Sequence, residues 1–155
     1  MVSGGSGATR SSKHEWNSYE SYCIAHENVL SRHPFIEDHT ITIGLLESDD
    51  GGIVAVAGTI RCRNGVILEV EKYARTERRG QRTPRLWVRT FAFRYNAHLP
   101  GQETVLRYDN GHDKDEYHVH AYDERLGKAG PARRISREEM PHLSEVLDEL
   151  QDLFG

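Results

Sequence analysis

Between Thr40 and Tyr122 several segments, separated by turns and an arginine-rich connection, alternate apolar and polar residues with period two, and this pattern commits them to β-sheet. Ile41, Ile43 and Leu45 form one apolar row. The cluster from Ser48 to Gly52 reads as a turn, and Val54, Val56 and Ile60 line a second strand that runs into Arg63-Asn64-Gly65. The length of that second turn sets the register. A two-residue Asn64-Gly65 loop would pair Ile60 with Glu69 and set carboxylates among core residues. A three-residue loop pairs Cys62 with Val66, Ile60 with Leu68 and Gly58 with Val70. A type I turn with Gly65 left-handed gives that register. The second is expected, and it puts Arg61, Glu69 and Glu71 together on the opposite face.

A long strand follows from Leu86 to about Ala97. Strict alternation places Trp87, Phe91, Phe93 and Tyr95 on one face and Thr90, Arg94 and Asn96 on the other. Leu99-Pro100-Gly101-Gln102 turns the chain. Thr104–Asp109 is the next strand, with Leu106 and Tyr108 on the aromatic side and Arg107 and Asp109 away from it. Tyr117–Asp123 is the last, its Val119 and Ala121 alternating with His118, His120 and Tyr122.

Two helices flank this sheet. Trp16, Tyr19, Tyr22, Cys23 and His26 recur at helical spacing, so a short helix is expected that stops before Pro34. Leu143, Val146, Leu147, Leu150, Leu153 and Phe154 form the apolar stripe of a C-terminal helix. Pro141 as its first residue avoids a lost hydrogen bond, with a short turn from Ser136 before it. The expected architecture is α+β: a mainly antiparallel, twisted sheet with the amphipathic helix on one face and a short N-terminal helix.

At 155 residues, one domain accounts for the chain. Residues 1–15 are expected to be a disordered tail, since Met1 to Ser12 is Gly/Ser-rich without the apolar core of a secretory signal. The domain is then 16–155. No apolar run approaches the roughly 20 residues that span a bilayer, and Cys23 and Cys62 lack metal-type spacing. A cytoplasmic protein with reduced thiols is the expectation. The formal net charge of −4 argues against a generic polyanion binder. Charge is uneven, however: Arg75, Arg78, Arg79, Arg82, Arg85 and Arg89 make a basic stretch fit for phosphate or an acidic peptide, or simply a solvated loop.

If the aromatic side is buried, Arg94, Asn96, Arg107, Asp109, His118 and His120 line the other. A solvated face is one reading. Two others are chemical. In metal-free phosphodiester cleavage, one His takes the proton of a ribose 2′-hydroxyl, a second group protonates the leaving 5′-oxygen, and arginines neutralise the phosphate. Imidazole suits both proton tasks at neutral pH. Alternatively His118 and His120 bind a divalent metal with Asp109 or His112. No phosphate-loop pattern is present, and Cys62 on an apolar row reads as core. The scattered His14, His26, His33, His39, His98 and His142 read as surface or packing.

Several of these segments resemble, in order and spacing, the TumE family of toxins from bacterial and archaeal toxin–antitoxin systems. They are GTIRCRNGVILEVE (58–71), FRYNAH (93–98), LRYDN (106–110) followed by His112, HVH (118–120) and the amphipathic C-terminal helix. The similarity runs from Thr40 to the end. It implies a growth-inhibiting toxin encoded beside a helix-turn-helix antitoxin, acting on RNA or translation. Matching positions assign Glu71, Arg94, Arg107, Asp109, His112, His118 and His120 to the site. Arg61, Asn96, Tyr122, Arg85 and Arg89 are candidates for holding substrate. No cofactor is expected on the metal-free reading. A non-catalytic module that docks an antitoxin or acidic partner is the rival, and an exposed sheet edge offers a route to a homo-oligomer.

Overall fold

The computed structural model describes residues 12–48, 51–80, 82, 85–111 and 116–155. The register expected at Arg63-Asn64-Gly65 is present: Ile60 pairs with Leu68, Gly58 with Val70, and Cys62 N–H donates to the Val66 carbonyl. The turn is not type I, because Asn64 is left-handed as well as Gly65, with φ of 59° and 80°. Asn is among the few side chains that tolerate this region, and the Asn64 Nδ2 donates to the Phe154 carbonyl, tying the hairpin tip to the last helix.

Eleven strands are formed among the described residues: β1 Glu15–Trp16, β2 Ile36–His39, β3 Thr42–Ser48, β4 Gly51–Cys62, β5 Ile67–Arg79, β6 Arg85–His98, β7 Thr104–Asp109, β8 Tyr117–His120, β9 Tyr122–Asp123, β10 Lys128–Ala129 and β11 Arg133–Ile135. The helices are α1 Tyr19–Arg32 and α2 Leu143–Phe154. The main sheet runs β11-β8-β7-β6-β5-β4-β2, with β1 on β6 and β3 on β4; β9 and β10 form a separate hairpin. All the pairings are antiparallel, so the α+β expectation holds.

β4 passes from β3 to β2 at Gly58. There φ is +149°, and a Cβ would sit 2.6 Å from the Thr40 carbonyl oxygen. Only glycine lets the two backbones meet, with Thr40 N–H donating to the Thr59 carbonyl. α1 begins at Ser18, whose Oγ accepts from Ser21 N–H, and ends before Pro34 as expected. α2 begins two residues later than expected. Pro141 precedes the helix and His142 is its N-cap, with Glu145 accepting from His142 N–H. The turn from Ser136 is closed by reciprocal bonds between Ser136 and Glu139.

The core lies between the two helices and one sheet face. Leu143, Val146, Leu147 and Leu150 of α2 and Tyr22 of α1 meet Val54, Val56, Leu68, Val70, Phe93, Tyr95, Leu106 and Val119. Leu153 falls outside the buried stripe. Ser12–Glu15, expected in the tail, belong to the fold. His14 is buried, its Nε2–H donating to the Arg137 carbonyl, and Lys13 pairs with Glu145 at 3.2 Å. Both cysteines are free thiols, and burial pushes Cys62 up to about 12, so it is a packing residue.

Three basic groups are buried on the helix side. Desolvation lowers His14 and His26 to about 3 and Lys72 to about 7. The unfolded chain therefore binds more protons than the native one between about pH 3 and 6.5 through the histidines. Stability from the two histidines is present above pH 6.5 and falls as pH drops toward 3. Urea unfolding should show a loss on the order of 2 kcal/mol per buried imidazole between pH 7 and 5. His26→Gln, which keeps an acceptor but does not titrate, should flatten that slope.

Candidate functional site

Where β6 passes from β1 to β7, its alternation breaks. Tyr73 pairs with Ala92 but Ala74 pairs with Thr90, so Phe91 is an extra residue and the strand bulges. The bulge corrects the face assignment expected from strict alternation. Val88 and Thr90 point to the core before it, Phe93, Tyr95 and Ala97 after it. Trp87 and Phe91 thus join Arg94 and Asn96 on the open face, and Thr90 leaves it.

Asn110 holds the bulge. It is buried, its Oδ1 accepts from Phe93 N–H at 3.0 Å, its Nδ2 donates to the Phe91 carbonyl at 2.8 Å, and its own N–H donates to the Phe93 carbonyl.

Register then sets the polar face. Glu71, Arg94, Asp109, His118 and Arg134 are cross-strand neighbours in one row across five strands. The next row is Glu69, Asn96, Arg107 and His120. Within them Arg107 Nε donates to Asp109 Oδ2, Arg94 lies 3.4 Å from Glu71, and Tyr73 Oη donates to Glu71 Oε2 at 3.2 Å. His120 Nδ1 sits 3.2 Å from the Gly130 carbonyl. A carbonyl only accepts, so Nδ1 carries the proton and Nε2 keeps a lone pair. A recess of about 320 Å³ lies here, walled by Glu71, Tyr73, Arg94, Arg107, Asp109 and Asn110.

A second recess of about 560 Å³ opens beside the bulge, lined by Arg89, Phe91, Tyr117, Arg134, Ser136 and Arg137. Asn110 joins the two, lining the first and bonding to Phe91, which lines the second. Arg137 is fixed by bonds to the Thr90 carbonyl at 2.7 Å and Tyr117 Oη at 3.2 Å. Guanidinium–aromatic stacks continue outward: Arg75 over Phe91 at 4.6 Å and Arg79 over Trp87 at 4.5 Å. Sequence reasoning missed Arg134 and Arg137. They follow an irregular segment without periodicity, although the Arg133-Arg134 doublet was itself a visible signal.

The structure brings together Arg94, Arg107, Asp109, His118 and His120, with Arg89 at the second recess. Glu71 is three strands from His118, roughly 14 Å at ordinary strand spacing, so it holds Arg94 rather than a histidine. Asn96 accepts from Thr104 Oγ1 at 2.9 Å at the margin. Arg61 sits on β4 in a two-pronged pair with Asp38, away from the histidines, because β2 closes on that edge. Arg85 lies at the far end of β6, opposite Arg79. Tyr122 packs edge-on against Phe154 at 5.0 Å on the helix side, because β8 ends at His120 and the chain turns into β9. Ala121 is accordingly exposed rather than core. His112 lies outside the described residues. Among the described residues, no three His, Cys, Asp or Glu side chains gather to hold a metal ion.

No family model matches the chain, and neither does any curated protein or solved structure. No helix among the described residues is long and apolar enough to cross a membrane.

Asn110→Ala removes the partner of a buried N–H and a carbonyl at once. It should cost about 2–3 kcal/mol in urea unfolding, where a surface change such as Glu103→Ala costs under about 0.5.

Proposed function

We propose that the open face is an RNA-cleaving site working by metal-free acid–base chemistry, in a toxin of the TumE type held in check by a helix-turn-helix antitoxin. The observation that carries the reading is the register that sets His118 and His120 beside Arg107 and Arg134 on one face. His120 Nε2 takes the proton of a ribose 2′-hydroxyl. The oxygen attacks the adjacent phosphorus, the bond to the 5′-oxygen breaks, and protonated His118 supplies the proton that oxygen needs, leaving a 2′,3′-cyclic phosphate. Arg107 and Arg134 face the phosphate charge that develops. Asp109 orients Arg107, and Glu71 orients Arg94.

Histidines two apart on a strand are separated by roughly 6–7 Å at their origins, a span that brackets one phosphate. The Phe91 recess suits the neighbouring nucleotide. Arginine guanidiniums and an aromatic face alternate there, the combination that binds single strands through backbone charge and base stacking. Growth arrest on expression, and a binding antitoxin, follow from the resemblance.

The test is cleavage of single-stranded RNA with and without EDTA. The wild-type chain should cleave equally in both and yield cyclic-phosphate ends, and His118→Ala/His120→Ala should lose at least about 100-fold while remaining folded. Full cleavage by the double variant overturns the assignment of the histidines. Loss of wild-type cleavage in EDTA would turn the site into a metal-dependent hydrolase. Absence of cleavage, with a partner bound through the same arginines, would make it a docking module.

A further inference from the structure

On the opposite side of the sheet from His118 and His120, Lys72 ends buried beneath α1 and the start of α2. Its side chain is 3% exposed and lines a cavity of about 130 Å³ walled by Trp16, Ala25, His26, Val29, His142 and Leu143. His26 Nδ1 donates to the Tyr22 carbonyl at 2.8 Å, so its Nε2 carries the lone pair that accepts from Lys72 Nζ at 2.7 Å. That satisfies one of three ammonium protons. The Tyr95 ring stands 5.6 Å from Nζ. Among the described residues no carboxylate pairs with Lys72. Glu145, at the start of α2, is committed to Lys13 and to His142 N–H.

A buried ammonium without a counter-charge is costly, and removing it to the neutral amine is one remedy. The cavity offers another. It has the volume of about four liquid waters, more than a lone halide needs, and its walls are largely apolar. The first turn of α2 forms one side through Leu143 and Ser144, where a helix start favours negative charge. His26 and His142 are both held neutral by burial, so among the described residues that line the cavity Lys72, itself lowered to about 7, is the group that carries positive charge near neutral pH.

We propose that this cavity binds a small organic monocarboxylate, its apolar tail against Trp16, Val29 and Leu143 and its carboxylate on Lys72 Nζ. The ligand supplies the missing counter-charge and fills the space. Lys72 also pairs across the strands with Phe93, one residue from Arg94. An occupant therefore bears on the strand pair that carries the Glu71–Arg94 pair on its other face.

The probe is isobutyrate, compared with the neutral isostere isobutyramide and with chloride, in ¹H–¹⁵N correlation spectra of the full chain. Isobutyrate should give saturable shifts of the Trp16 indole and the Leu143 and Ser144 amides, with a dissociation constant of roughly millimolar for so few atoms. Isobutyramide and chloride should bind at least about 10-fold more weakly. Lys72→Met, which keeps the chain length without the charge, should abolish saturation, and Val29→Phe should do so by filling the cavity. Equal binding of acid and amide, unchanged binding in either folded variant, or no local shift with isobutyrate overturns the proposal. The acid–amide comparison needs only the wild-type chain, so misfolding of a variant leaves it decisive.

Discussion

The clamp that Asn110 places on the bulge at Phe91 is the constraint on which the open face depends. An extra residue in a strand leaves backbone groups out of register, and a buried N–H or carbonyl without a partner is expensive. Asn can serve both, since its amide donates and accepts at once, and here it spans Phe91 and Phe93. Asp would lose the donor and Ala both. Fixing the bulge lets one strand present Val88 and Thr90 to the core at one end and Phe93 and Tyr95 at the other. It also leaves Phe91 on the open face, between the arginine recess and the histidine rows.

The electrostatics of that face resolve a tension in the composition. A chain of net charge −4 repels polyanions at long range. Many of its carboxylates, however, are spent on neighbouring cations: Glu71 on Arg94, Asp109 on Arg107, Asp38 on Arg61 and Glu116 on Arg134 at 3.4 Å. Among the described residues Arg89 and Arg137 have no carboxylate partner, and both line the larger recess. Within a Debye length of about 8 Å at physiological salt the local field outweighs the distant total. The cation best fixed by hydrogen bonds, Arg137, would lose little entropy on meeting a phosphate.

How much of this was legible in the sequence depended on whether a feature left a periodic trace. The hairpin register did, because one slip would have put Glu69 against Ile60, and only one loop length avoids that. The rows carrying Arg94, Arg107, Asp109, His118 and His120 followed from uninterrupted alternation in β7 and β8. The bulge left no trace, since an inserted residue looks like a continued pattern until its partner strand is known. Strict alternation thereby put Trp87 and Phe91 on the same face as Phe93 and Tyr95. The excursion of Tyr122 failed likewise: nothing in YHVHAYD marks where pairing with β7 stops. Arg137 acts through hydrogen bonds to residues 20 and 47 positions away, which no local pattern encodes.

Lys72 is the instructive exception, since its pattern was visible and its meaning was not. The core row Leu68, Val70, Lys72, Ala74 carries a charge where alternation demands an apolar side chain. The usual escape, a long stem that carries the charge to solvent, is closed by α1 and the start of α2. A sheet that needed only a filler there would be served by Met or Leu at no electrostatic cost. The helix above it offers a histidine ring that can accept a single proton, not a carboxylate that would neutralise the charge. That choice keeps Lys72 oriented yet uncompensated, and an uncompensated cation facing a void is a physical specification for an anion.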